Sequence, residues 1–149
     1  MRMQSFSPML SALAVSASFL CGSPALADKM KMKATLDGAQ QNPAVTTEGK
    51  GEATLGFNTD TKQLTWNVMY SGLSGPATAG HIHGPAAKGE NADVVVPFKG
   101  APKSPFKGAA ILTDAQAADL MAGKYYINIH TAAHKDGEIR GQIEKAATM

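Results

Sequence analysis

The chain has four histidines, and all of them fall in two short motifs, His81-Ile82-His83 and His130-Thr131-Ala132-Ala133-His134. Neutral imidazole is a good ligand for copper and zinc, with bonds of about 2.0–2.1 Å to zinc. On a β-strand, residues i and i+2 share a face, so His81 and His83 project together while Ile82 points the other way. The segment Tyr125 to His130 alternates in the same manner, with Ile127 and Ile129 on one side and Tyr126, Asn128 and His130 on the other. If the isoleucines form core, three histidines stand together on the outer face of a sheet. The spacing therefore predicts a copper or zinc site built from His81, His83 and His130, with His134 in the following loop closing it as a fourth ligand. The competing reading is a set of surface histidines bonded to the loops at Gly84-Pro85 or Lys135-Asp136-Gly137, because a lone H-x-H pattern is weak as a motif. Since a metal-binding imidazole must be neutral, affinity is expected to collapse near and below pH 6.

Several neighbours are candidates to orient these rings. Asn128 shares the strand face of His130, where its amide can hydrogen-bond a ligand imidazole, and Asp136 and Glu138 lie close to His134 in sequence. Met30 and Met32 alternate with Lys29, Lys31 and Lys33. Thioethers suit Cu(I), but the same pattern describes an edge strand with methionines inward and lysines in solvent. Trp66, Tyr70 and Phe57 read as core or sheet-face aromatics. No Ser/His/Asp order, pair of buried carboxylates or phosphate-cradling Gly loop presents itself for hydrolytic or transfer chemistry.

The elements that must position the histidines are short strands. Period-two alternation broken by Gly, Asn, Asp and Pro marks strands at Lys31–Leu36, Gly51–Phe57, Leu64–Tyr70, Val94–Val96, Gly108–Leu112, Tyr125–Thr131 and Glu138–Glu144, besides the one that carries His81. Asn58 to Thr61 reads as the turn of a hairpin with one buried face. Thr113 is a good N-cap with Gln116 as its capping-box partner, so a brief helix follows it and stops at Gly123. Seven or eight short strands with one helix predict an all-β, Greek-key antiparallel β-sandwich or flattened barrel.

The first 27 residues read as a signal peptide. Arg2 supplies a basic start, Met9 to Leu20 an apolar stretch too short for a stable membrane anchor, and Ala25-Leu26-Ala27 a small-x-small cleavage pattern. A single domain over residues 28–149 is thus expected to be periplasmic or secreted, with no transmembrane anchor. The lone cysteine, Cys21, lies in the leader behind Leu20 rather than a small residue, which argues against lipidation and leaves the domain without thiolate ligands. A formal charge of +2, with only Arg2 and Arg140 as arginines, argues against nucleic acid as a partner.

Several ordered motifs, Tyr70-Ser-Gly-Leu-Ser74, Gly80-His-Ile-His-Gly-Pro-Ala86, Leu112-Thr-Asp-Ala-Gln116, Tyr126-Ile-Asn-Ile-His-Thr131 and Gly137-Glu-Ile-Arg-Gly-Gln142, resemble the CHRD (chordin) domain family from about Lys31 to Glu144. The resemblance implies a β-sandwich found in exported bacterial proteins and allows a metal-free role as an interaction module for an envelope protein partner. A more distant likeness is to copper/zinc superoxide dismutase, in which His81, His83 and His130 match three copper ligands. No histidine lies between His83 and His130, so the metal-bridging imidazole and the zinc-ligand cluster of that enzyme have no match. Glu138 stands about where the enzyme has its anion-guiding arginine and would repel superoxide, with Arg140 on the same strand face compensating in part. The expected role is therefore binding or buffering of copper or zinc, with dismutase-like redox chemistry as the weaker alternative.

Overall fold

The computed structural model describes residues 29–147; the expected leader, Cys21 included, lies outside the described residues. Nine strands and one helix follow in the order β1 (Lys29–Asp37), β2 (Lys50–Asn58), β3 (Gln63–Ser71), β4 (Ala77–His83), β5 (Val94–Pro97), β6 (Phe106–Ile111), α1 (Asp114–Met121), β7 (Tyr126–Thr131), β8 (Ile139–Gln142) and β9 (Glu144–Lys145), with a 3-10 turn at Gly38–Gln40. All strand pairing is antiparallel. The all-β architecture with one short helix is the one expected. Its strand count exceeds the expectation because the closing segment breaks at Ile143 into β8 and β9.

The alternation that marks the strands is the alternation of burial. In β2, Ala53, Leu55 and Phe57 are buried, and in β3 Leu64, Trp66 and Val68 answer them across a register that pairs Phe57 with Leu64 and Leu55 with Trp66. The hairpin turns at Asn58, whose side-chain Oδ1 accepts from the backbone N–H groups of Asp60 (3.0 Å) and Thr61 (2.9 Å). The helix carries both bonds of its capping box: Gln116 N–H donates to Thr113 Oγ1, and Thr113 N–H donates to Gln116 Oε1.

The sheet order is β5-β4-β7-β8-β1-β2-β3-β6, with β9 against β1. This one sheet rolls so that its two halves share a core, in which Met32, Leu36, Leu55, Phe57 and Val68 meet Ile82, Ile127, Ile129 and Ile139. The two ends of the order are brought together by aromatics. Phe98, just beyond β5, lies with its ring centroid 5.2 Å from Trp66 and 5.1 Å from Phe106 of β6, making a nearly closed barrel. Gly108 is required there because a Cβ would run into the Trp66 indole.

β1 is not an edge strand. It pairs with β2 along its whole length and meets β8 and β9 on its other side. Its lysines stay exposed while Met32 is 2% exposed in the core, so the methionine and lysine alternation reflects ordinary in-out packing of an interior strand.

Candidate metal centre

β4 and β7 pair with His81 opposite Asn128, His83 opposite Tyr126 and Ala79 opposite His130. Directly opposed residues share a face, so the three histidines, Asn128 and Tyr126 all project away from Ile82, Ile127 and Ile129. The rings converge. His81 and His130 have centroids 4.9 Å apart, His81 and His83 5.4 Å, and His83 and His130 6.3 Å. One nitrogen from each ring lies within 4.8 Å of the other two.

This outer face is only partly open to solvent, with His81 and His83 half-buried on β4. Every residue of β7 is buried on both of its sides, and His130 is 9% exposed. Loops cover it, and their carbonyls fix which nitrogen each ring presents. His130 Nδ1–H donates to the Lys135 carbonyl (2.8 Å), and His83 Nδ1–H donates to the Ala92 carbonyl (2.9 Å). Because a carbonyl only accepts, both Nδ1 atoms must carry the proton, and each neutral ring keeps its lone pair on Nε2. His130 Nε2 lies 3.1 Å from His81 Nδ1. His83 Nε2 is buried and has no hydrogen-bond partner among the described residues. An orphaned buried lone pair is costly unless something occupies it.

The surroundings of His81 and His83 favour their neutral forms. Burial, then the neighbouring charges of His130 and His83, pushes the His81 pKa below its ordinary value. Burial likewise depresses His83, opposed by its bond to the Ala92 carbonyl and by Asp93, and reinforced by His130 and Arg140. Two of the three rings are thus already in the protonation state a metal requires.

Asn128 is at the site but does not touch an imidazole. Its Oδ1 accepts from Gln41 Nε2 (2.7 Å) and its Nδ2 donates to the Asp136 carbonyl (3.2 Å), so it ties two covering loops to β7. Gly137 makes room for this amide: its φ is +122° and a Cβ would strike the Asn128 side chain. Asp136 therefore contributes its backbone, not its carboxylate. His134 is outside the convergent trio. Its backbone exchanges hydrogen bonds with Thr131 (3.2 and 3.3 Å) and accepts from Gly137 N–H (3.1 Å), shaping the turn that delivers the Lys135 carbonyl to His130.

Glu138 faces away from the histidines. Its carboxylate accepts from Thr47 Oγ1 (2.6 Å), Ser74 N–H (2.8 Å), Ser74 Oγ (2.6 Å) and Thr131 Oγ1 (2.7 Å), pinning three segments at one end of the barrel. Arg140 does not share that environment: it pairs with Asp37 across β1 and with Asn128 across β7, and is 1% exposed under the 87–93 loop. So enclosed, its guanidinium cannot guide an anion in from solvent. Met30 and Met32 turn into or against the core, away from the cluster.

Sequence reasoning passed over Tyr126, whose ring stacks on His83 at 5.0 Å and 3°, and whose hydroxyl bonds Ala92. Its place on the His130 face, four residues earlier, was the available signal. The carbonyls of Ala92 and Lys135 had none, because any residue type supplies a carbonyl.

The fold and the cluster define an all-β domain with a three-histidine constellation on two paired strands under a loop roof. The CHRD domain matches residues 32–143, nearly all of the described chain, and the protein belongs to the CHRD family. Comparison with curated proteins and with solved structures returns no match. Among the described residues no helix is long and apolar enough to cross a membrane.

Proposed function

We propose that this protein is an exported CHRD domain that binds copper or zinc, His83 and His130 through Nε2 and His81 through Nδ1 once its proton has shifted to Nε2, and holds or buffers that metal in the periplasm or outside the cell. The observation that carries the reading is His83 Nε2, a buried lone pair without a partner among the described residues, within reach of two further imidazole nitrogens. Two of these rings are oriented by loop carbonyls, the arrangement by which proteins fix the tautomer of a ligating histidine. A bound ion would occupy the lone pairs and replace the 3.1 Å contact between His81 and His130.

The test is metal content by mass spectrometry on untagged protein purified from its native compartment, beside a His81/His83/His130 triple-alanine variant. The expected result is about one copper or zinc per chain, absent from the variant, as for a single site. A folded wild-type protein that arrives empty and takes up neither metal at neutral pH would refute the proposal.

A further inference from the structure

Behind His83 stands a cation with no ion-pair partner among the described residues. Arg140 is 1% exposed, and its guanidinium is satisfied only by neutral acceptors: Nη1 donates to Asn91 Oδ1 (3.1 Å) and Nη2 to the Glu90 carbonyl (2.6 Å). Its Cζ lies 3.5 Å from the centroid of the Tyr126 ring. The ion pairs among the described residues all involve lysines, and none involves Arg140. Buried guanidinium groups ordinarily meet a carboxylate, because desolvation is otherwise unrecovered. Among the described residues no carboxylate comes within ion-pair distance of it, Asp37 included, although Asp37 stands opposite Arg140 on β1.

Its position relative to the metal centre follows from the stack. Tyr126 lies against Arg140 on one side and parallel to His83 at 5.0 Å, so the guanidinium carbon cannot be farther than about 8.5 Å from the His83 ring centre, the two separations laid end to end. Asp93, on the loop that covers His83, is exposed and therefore screened by solvent. The three converging residues are all histidines and bring no carboxylate to offset the charge of an ion. They are also three, whereas structural zinc takes four protein ligands.

Resting on the metal-binding reading above, we infer that the site selects a monovalent ion, copper(I), over divalent ions, and that Arg140 is the residue that sets this preference. Arg140 acts through charge, as a positioning and tuning residue that never touches the ion. Moving from a dication to a monocation removes one unit of repulsion from Arg140. At a separation of about 10 Å and an effective dielectric constant of about 20, that unit is worth roughly a tenfold preference.

The experiment compares wild type with Arg140→Gln, Arg140→Lys and Asn91→Asp. Copper(I) affinity is read anaerobically by competition with bicinchoninate, and zinc(II) affinity by competition with a chromophoric chelator. Arg140→Gln is expected to move the ratio of copper(I) to zinc(II) affinity about tenfold toward zinc. Arg140→Lys keeps the charge and should leave the ratio unchanged, even where both affinities fall through a loosened loop. Asn91→Asp leaves the arginine in place but sets a carboxylate against it, so its ratio should move in the same direction as that of Arg140→Gln, and it serves if the latter fails to fold. Parallel losses in both affinities, with the ratio unmoved in Arg140→Gln or in Asn91→Asp, would overturn the inference while leaving metal binding standing. A wild-type protein that binds neither ion would instead overturn the reading beneath it.

Discussion

Replacing Glu138 with Gln tests whether one buried carboxylate holds the end of the barrel together. Burial alone would push the Glu138 pKa up, but hydrogen bonds from Ser74, Thr47 and Thr131, including the Ser74 backbone N–H, outweigh it and bring the pKa down to about 2. A folded-state value below the ordinary 4.5 means that the folded chain binds the proton less readily than the unfolded chain. The associated stability is present in full above about pH 4.5 and is lost as pH falls toward 2. The depression of about 2.5 units corresponds to roughly 3 kcal/mol at 1.36 kcal/mol per unit. The group has no solvent-exposed surface, yet its partners Thr47, Ser74 and Thr131 are polar residues outside the hydrophobic core, so about 2 kcal/mol is the working figure. Glu138→Gln should cost that amount at pH 7, a fall of roughly 8 °C in Tm. Urea denaturation of both proteins between pH 2 and 7 is the assay. The stability gap should close as pH falls from 4.5 to 2, because the protonated wild type then resembles the amide. A gap that stays constant across this range would refute the account, since the interaction would then owe nothing to charge.

Asn128→Ala removes the amide that joins the Gln41 and Asp136 loops to β7, leaving a buried Gln41 donor unpaired; a loss of about 1–3 kcal/mol is expected, with faster hydrogen exchange confined to residues 132–137. Gly137→Ala forces a side chain into the Asn128 amide at a φ of +122°, and denaturation should show a larger cost than the Asn128 truncation. Thr113→Ala abolishes the capping box and should cost about 1 kcal/mol in urea melts without touching metal content. His134→Ala should leave metal stoichiometry by mass spectrometry unchanged, because its ring is not one of the converging three.

Much of the fold was readable because its strands bury one face and period two survives in the residues. The hairpin of Phe57 and Leu64, the helix after Thr113 and the shared face of His81, His83 and His130 all come from that periodicity. What did not show was which strands lie beside which and what the loops between them cover. β1 looked like an edge because alternating lysine and methionine marks an exposed face equally well on an interior strand. The burial of Arg140, the true partners of Glu138 and the roof over the histidines depend on loops from elsewhere in the chain, whose contributions are mostly backbone carbonyls and hydroxyls. Proximity in sequence placed Asp136 and His134 beside the histidine cluster; the turn instead uses their main chain and leaves their side chains out.

The order of strands also sets a timetable. β7 lies between β4 and β8, and β8 between β7 and β1, so the central seam of the sheet is made from strands near the end of the chain. As the chain folds, β1, β2, β3 and β6 can pair with consecutive and nearby partners, whereas β4 needs the distant β7. The histidines at 81 and 83 meet the one at 130 only after that last seam closes. Long-range pairing of this kind is slow compared with local hairpins. The constellation is consequently among the final things the chain builds, and a nascent or incompletely folded molecule presents scattered imidazoles rather than a cage.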